Sequence, residues 1–440
     1  MTAATGFSPG SVHDGLATRR ADAGLLSLAL MDARNRTLGW LAAFEGLHPG
    51  QALDGFNPPW WLAGQAGWFQ EHWIARHVQR GRGAAADPSG LRLASLEPRA
   101  DAWFSPLHSN TAQRWQQAAP QADELRAYLA NTLDTTLDLL DKAGSDDAAL
   151  YFYRLALLHE DRLAEGLAVL AQALHLAPER HAHLAQRGLW AALPSRGRRD
   201  AISLHGQTVL LGSAPGGCVP DAEQWAHPVA VPAFEIDAQP VTWAQYAEFV
   251  DDGGYDDRHW WTEAGWAYLQ VTAKRAPRDV EQVAGGVLAL RQGRLQRLPL
   301  AQPVLHVSAH EAAAWCRWAG RRLPSEAEWL AAATSASARG FAWGEVLEWV
   351  AGVARPYPGG QTGPAALDAL PGASNPASNP ASNPATSAAT SAATPTPAAT
   401  WRVLRGATVC GAARLRHLQA RRFAPADSDA LFVGFRSCAA

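Results

Sequence analysis

Residues 148–176 read AALYFYRLALLHEDRLAEGLAVLAQALHL, and this stretch decides the fold of the N-terminal half. Leucine and alanine recur with a period near 3.6 residues, which predicts a long α-helix. Phe152, Ala156, His159, Leu163 and Leu170 lie on one stripe of that helix, since residues three or four apart share a face. A lone histidine on such a stripe is most simply a buried core residue that is bonded to a neighbouring polar group.

Three further helical stretches precede this one. They cover residues 23–47, 58–80 and 111–142, and loops rich in glycine and proline separate them. Antiparallel packing of four amphipathic helices forms a bundle, so we assign residues 1–193 to a four-helix bundle. Residues 194–204 begin with Pro, Ser, Gly and several Arg residues, a composition that predicts an interdomain linker.

The pattern of residues 205–440 is different, with short Val/Leu segments, many turns and scattered tryptophans. Examples of the Val/Leu segments are residues 208–211, 229–236 and 304–307. Two short helices are predicted at 242–251 and 308–319, with Thr242 and Ser308 as N-caps. We therefore expect an irregular mixed α/β domain.

Residues 363–400 form a low-complexity stretch in which Ala-Ser-Asn-Pro occurs three times. This Ala/Ser/Thr/Pro composition offers too little apolar surface to offset the entropy of ordering the chain. We expect a disordered insertion near the end of the second domain.

The composition limits the classes of function. The chain has 440 residues, enough for two domains, and 48% of them are hydrophobic. A net charge of only -3 argues against nucleic acid or an anionic membrane as a partner. The four cysteines form no CxxC pair, and neither a signal peptide nor a run of about 18 apolar residues is seen, which favours the cytoplasm.

Several motifs carry a resemblance to a known family. In the N-terminal half they are residues 57–71, NPPWWLAGQAGWFQE, and 151–161, YFYRLALLHED. In the C-terminal half they are WAHPV at 225–229, FVDDGGY at 249–255, GRRLPSEAEW at 320–329, RVLRG at 402–406 and GFRSC at 434–438. Together these segments resemble the ergothioneine-type sulfoxide synthases, and most closely their selenoneine synthase relatives. The resemblance implies a DinB-like four-helix bundle followed by an irregular formylglycine-generating-enzyme-like (C-type-lectin-like) domain.

The resemblance also implies an iron(II) site held by three bundle histidines, one on the second helix and an HxxxH pair on the last. Carried over by position, the three ligand places are Gln65, His159 and Leu163. Leucine cannot donate to a metal, and an amide oxygen is a weak ligand for an ion that prefers imidazole. We therefore expect the binding of the implied Fe(II) cofactor to be weakened or lost. Glu160 or Glu165 could join His159 only in a rebuilt site.

For the second domain the resemblance implies a tyrosine proton donor, for which Tyr357 is the candidate; the alternative is an aromatic turn residue between two prolines. Arg405 and Arg414 could clamp a substrate carboxylate, although most arginines of this fold tie loops together. Trp349 could meet a trimethylammonium group by a cation–π contact, or belong to the core. In the bundle, Arg80 could face an anionic donor, or a solvated loop.

Two functions follow as hypotheses. The first is an O2-dependent non-haem iron oxidoreductase that joins sulfur or selenium, from a thiol or selenosugar donor, to the imidazole of trimethylhistidine. The second is a catalytically impaired pseudoenzyme that binds a substrate or a partner. Family resemblance favours the first hypothesis, and the residues at the ligand places favour the second.

Overall fold

The computed structural model describes residues 9–46, 52, 53, 55–367 and 401–440. The α-helices are α1 (Gly15–Arg19), α2 (Ala23–Ala43), α3 (Pro59–Gln70), α4 (Ala100–Phe104), α5 (Thr111–Gln116), α6 (Ala122–Asp141), α7 (Asp147–Ala173), α8 (Pro178–Gln186), α9 (Trp243–Asp251), α10 (Glu263–Thr272), α11 (Ala309–Trp318) and α12 (Glu326–Ser335).

The strands belong to the C-terminal half. They are β1 (Ile202–Leu204), β2 (Gln207–Leu211), β3 (His227–Val231), β4 (Phe234–Ile236), β5 (Val280–Gln282), β6 (Leu288–Arg291), β7 (Arg294–Arg297), β8 (Arg321–Arg322), β9 (Leu347–Val353), β10 (Trp401–Gly406), β11 (Arg421–Pro425), β12 (Val433–Phe435) and β13 (Cys438–Ala439).

Four long helices, α2, α3, α6 and α7, pack against one another in the N-terminal half, as the hydrophobic period predicts. The stretch predicted at 111–142 is two helices, α5 and α6, because Pro120 lies between them and lacks the backbone N–H that a continuous helix needs. A π-helical turn, Glu71–Ala75, continues α3. The description of this bundle as DinB-like stays a prediction.

Helix α7 is central to the whole molecule. Every residue from Leu150 to Ala173 is buried. A bundle helix with one free face would show exposed positions every three or four residues. Here the second face is covered by the C-terminal half, which is why charged α7 residues such as Asp161 and Glu165 are also buried.

The C-terminal half is built from small sheets and short helices, as expected for an irregular α/β domain. Its two four-stranded sheets have the orders β1-β4-β13-β8 and β11-β10-β9-β12, and β12 pairs with β9 in parallel. A two-stranded sheet, β2-β3, and a three-stranded sheet, β5-β6-β7, complete it. In the part of the chain that the structure describes, no helix is long and apolar enough to cross a bilayer.

Both predicted N-caps are confirmed, since Thr242 and Ser308 form capping boxes at the starts of α9 and α11. The Val/Leu segment at 304–307 forms no strand, since His306 has a φ of +61°, outside the extended region. Helices α10 and α12 were not predicted. For α12 the signal was present, since Ser325 and Glu328 form a capping box there.

Two predicted boundaries change. Strand β1 lies inside the predicted linker 194–204 and pairs with β4, so the segment without regular structure ends at 201. Residues 363–367, predicted as disordered, are folded: Gly363 N–H donates to Asp221 at 3.0 Å, and Leu367 is buried. Residues 368–400 lie outside the described residues.

A buried histidine on α8 leads to a stability prediction. Neither ring nitrogen of His181 has a hydrogen-bond partner, and its ring packs edge-on against Trp190. Burial lowers the pKa of His181 to about 4. The unfolded chain therefore takes up this proton near pH 6.5 and the folded chain only near pH 4, so stability falls as the pH is lowered through that window.

The variant His181→Phe keeps the aromatic contact and removes the unpaired nitrogens. When the pH is lowered from 7.5 to 5, the unfolding free energy of wild type should fall by about 1 kcal/mol more than that of the variant. This figure allows for solvent screening. Urea unfolding at both pH values measures this. His183→Phe, at an exposed position of the same helix, is the control. An unchanged difference between variant and wild type at the two pH values would contradict the prediction.

Candidate functional site

Helices α3 and α7 bring two of the three predicted ligand places into contact. The Nε2 atom of His159 lies 2.7 Å from Oε1 of Gln65, and Nε2 of Gln65 donates to the backbone oxygen of Phe104 at 3.3 Å. Because an amide oxygen only accepts, the hydrogen of the His159 ring is assigned to Nε2. The ring of Phe69 stacks on His159 with centroids 4.2 Å apart. The imidazole is thus held by a bond and by a ring contact.

The surroundings keep His159 neutral. Its side chain is fully buried, and desolvation together with the charge of Arg162 lowers its pKa to about 3. With the hydrogen on Nε2, the other nitrogen, Nδ1, carries a lone pair, and it has no hydrogen-bond partner. His159 therefore presents one buried imidazole nitrogen that forms no hydrogen bond.

The third ligand place holds an apolar side chain. Leu163 is 1% exposed and belongs to a hydrophobic cluster with Trp40, Trp61 and Phe104. One imidazole, one amide oxygen and an aliphatic side chain do not make a donor set that fits ferrous iron. Within the described ranges there is also no group of three His, Cys, Asp or Glu residues that could hold a metal ion.

The two carboxylates that could have rebuilt the site are already bonded. Glu160 forms an ion pair with Arg34 at 2.8 Å and accepts from Nε2 of Gln70 at 3.0 Å. Glu165 accepts from the Thr408 hydroxyl at 2.5 Å and pairs with Arg422. A metal would have to displace these partners, so the rebuilt site is not formed.

Sequence reasoning missed Arg34 and Gln70. They lie on α2 and α3, and with Glu160 on α7 they form a buried polar network across three helices. The Arg34 guanidinium also donates to the backbone oxygen of Leu129 on α6. An arginine in a predicted apolar helix was a signal for such a network, because a buried charge requires a partner.

Arg414 was predicted as a substrate ligand, and in the structure it is bonded to carboxylates of the bundle. Its guanidinium donates to both carboxylate oxygens of Asp161, at 2.6 and 2.8 Å, and to Asp32 at 2.7 Å. These partners raise the pKa of Arg414 against the effect of burial. The fork that could have held a substrate carboxylate holds two bundle carboxylates instead, and it joins the two halves of the chain.

Two further side chains that were predicted to bind substrate also have partners within the protein. Arg405 is fully buried, lies over the Trp329 ring and donates to the backbone oxygen of Leu418 at 2.6 Å. Trp349 is fully buried, and its indole N–H donates to the backbone oxygen of Val307 at 2.8 Å. Both side chains belong to the core of the C-terminal half, and their roles in substrate binding stay predictions.

The structure places Tyr357 and Arg80 apart from the Gln65–His159 pair. The Tyr357 hydroxyl donates to Glu326 at 2.8 Å, and the guanidinium of Arg421 lies 4.0 Å from its ring centre. Burial raises the pKa of Tyr357, so the phenol stays protonated. Arg80 interacts with the hydroxyl of Tyr153. A proton-donor role for Tyr357 and donor binding by Arg80 stay predictions.

A small cavity lies beside the site, between the two halves. It has a volume of about 20 Å³ and is lined by Leu158 and Asp161 of α7 and by Arg19, Cys218 and Arg414. Such a volume holds about one water molecule. It does not admit a ligand of amino-acid size without movement of its walls.

Comparisons with known proteins cover most of the chain. Residues 190–440 match the family model described as a sulfatase-modifying factor enzyme 1-like domain. The chain is 31% identical over 359 residues to the hercynine oxygenase of Mycobacterium tuberculosis, covering 80% of this chain and 79% of the relative. It is 32% identical over 330 residues to the hercynine oxygenase of Mycolicibacterium thermoresistibile, covering 73% and 69%.

A formylglycine-generating enzyme of Streptomyces coelicolor is 37% identical over 172 residues, which cover 36% of this chain and 54% of the relative. The alignment with the first hercynine oxygenase is longer than the matched C-terminal domain, so it includes part of the helical half as well.

Proposed function

The chain belongs to the ergothioneine-type sulfoxide synthase family, and from this premise we propose that it binds a trimethylhistidine-type small molecule without carrying out iron-dependent oxidation. Relatives that are hercynine oxygenases support an oxidative role on such a substrate for the family. The sulfatase-modifying-factor-like domain at 190–440 supports a shared scaffold. The bundle site is where this chain departs from the ligand pattern that the family resemblance implies.

One observation carries the proposal. The His159 imidazole is hydrogen-bonded to Gln65 at 2.7 Å, while buried Leu163 fills the third ligand place. Iron on Nε2 of His159 would break a buried hydrogen bond, and iron on Nδ1 would gain a single nitrogen ligand. Loss of one partner outside the ligand shell already lowers metal affinity about 10-fold to 100-fold, so the loss of two ligands removes useful binding.

A second candidate is an active oxidoreductase that forms a carbon–sulfur or carbon–selenium bond on trimethylhistidine. Identity of 31% over 80% of the chain favours it, because the likeness extends over both halves. This candidate requires a metal held by donors other than the three inherited places. It also requires a thiol or selenosugar donor.

Metal analysis combined with ligand binding separates the two candidates. We expect the purified chain, loaded anaerobically with Fe(II) and desalted, to retain less than about a tenth of an equivalent of iron, because one imidazole is too weak a ligand set. Isothermal titration calorimetry should show saturable binding of trimethylhistidine without iron. The hercynine oxygenase of M. tuberculosis, treated identically, is the positive control for iron retention.

Near-stoichiometric iron, or a sulfoxide product from trimethylhistidine and a thiol under O2, would establish the second candidate. If trimethylhistidine does not bind, the proposed binding function is wrong, whereas the conclusion that the chain does not hold iron still stands.

A further inference from the structure

A cavity in the C-terminal half, remote from the Gln65–His159 pair, is unusually rich in arginine. It lies between α11, β8, β9 and β10 and has a volume of about 290 Å³. Its basic lining residues are His310, Arg317, Arg321, Arg322 and Arg402. This volume is at the lower end of the range of small-molecule sites, which begins near about 300 Å³.

Two of the four arginines are neutralised by carboxylates. Arg321 pairs with Glu235 at 3.3 Å and with Asp237 at 3.1 Å. Arg322 forms a two-pronged pair with Glu328 at 2.7 and 2.9 Å. These ion pairs fix the side chains of Arg321 and Arg322, and the carboxylates offset their positive charge.

The other two arginines have no carboxylate partner within the described residues. The contact of Arg317 is with the backbone oxygen of Trp260 at 3.2 Å, and that of Arg402 is with the backbone oxygen of Gly352 at 3.0 Å. Each guanidinium has five N–H donors, so most of its donors stay available. Asp427 acts electrostatically on His310 in the same region, but it forms no ion pair with either arginine.

Apart from Thr262, the rest of the lining is mostly apolar. Ala309, Ala313, Val350 and Ala426 contribute side chains, and the thiol of Cys316 is buried there. Desolvation raises the pKa of Cys316, so this wall carries no negative charge. A ligand that matches both parts of the lining has a compact apolar body and a doubly charged anionic head.

We propose that this cavity binds a small organic phosphate monoester, with Arg317 and Arg402 clamping the phosphate and the alanine-rich wall covering the organic part. Planar guanidinium forks match phosphate oxygens two at a time, and a dianion neutralises both unpaired charges at once. The proposal is independent of iron and of trimethylhistidine binding.

Calorimetric titration of the full chain with phenyl phosphate tests the proposal. We expect saturable binding by wild type. The double variant Arg317→Gln/Arg402→Gln should weaken it at least about tenfold, because two charge-assisted contacts are lost. Arg317→Lys/Arg402→Lys should lie between the two, since charge remains without the fork. Arg294→Gln, on exposed β7 and outside the cavity, is the matched control and should bind as wild type does.

Inorganic phosphate and benzoate complete the test, and both should bind more weakly than phenyl phosphate, since each lacks either the apolar body or the second charge. Circular dichroism and thermal melting confirm that the variants are folded. The proposal is overturned if wild type shows no saturable binding at about 10 mM, a concentration at which even millimolar complexes saturate. Equal affinity of the folded Gln double variant, or tighter binding of benzoate, would also overturn it.

Discussion

The double variant Gln65→His/Leu163→His is expected to retain close to one equivalent of Fe(II) under conditions in which wild type retains little. Residues 159 and 163 lie one turn apart on α7, and position 65 on α3 already reaches His159 at 2.7 Å. Two imidazoles from one helix and a third from a facing helix can then meet at one point. Three nitrogen ligands suit ferrous iron far better than one.

Metal analysis after anaerobic loading and desalting measures this gain, and it requires no turnover. Each single variant should retain an intermediate or low amount, since two imidazoles remain an incomplete set. Adding His159→Ala to the double variant should abolish the gain, which shows that the metal lies at the intended point. A folded double variant with as little iron as wild type would mean that the surrounding backbone no longer accommodates a metal.

Replacing Arg414 with methionine is expected to lower the free energy of unfolding by about 3 to 5 kcal/mol, the range found when one partner of a buried ion pair is removed. Arg414 is 3% exposed and Asp161 is 1% exposed. The variant would leave the Asp161 carboxylate in the interior without its guanidinium. Since Arg414 also bonds Asp32, the same change weakens the contact between the two halves.

Chemical denaturation of wild type and variant measures the loss. Arg126→Met is the control, because its ion pair with Glu45 is exposed and such pairs contribute about 0 to 1 kcal/mol. The variant Arg414→Met/Asp161→Leu should recover at least about half of the loss, as an apolar pair replaces a buried charge. A loss below about 1 kcal/mol in Arg414→Met would show that this pair is unimportant for stability.

Local signals in the sequence predicted much of the fold. The period of leucine and alanine predicted four long helices, and Thr242 and Ser308 marked the starts of α9 and α11. Errors arose where a tertiary contact overrides a local pattern. Residues 304–307 have the composition of a strand, yet His306 adopts a positive φ and no strand forms. The N–H groups of Val304 and Val307 still donate to the backbone oxygens of Val241 and Val433.

The candidate site, like the fold, could be predicted from the sequence only in part. The replacement of two ligand places by Gln65 and Leu163 is visible in the sequence once the family is recognised, because ligand chemistry depends on residue type. The partners of Arg405 and Arg414 are not visible there. A guanidinium fork binds a substrate carboxylate and a protein carboxylate equally well.

The sequence by itself therefore determined the family, the order of the two halves and the residue types at the predicted ligand places. Only the tertiary structure decided that His159 is bonded to Gln65, that Glu160 belongs to Arg34, and that Arg414 joins the halves through Asp161. The reason is physical: residue type limits which bonds a side chain can form, whereas its partner depends on which distant segments the fold brings within about 3 Å.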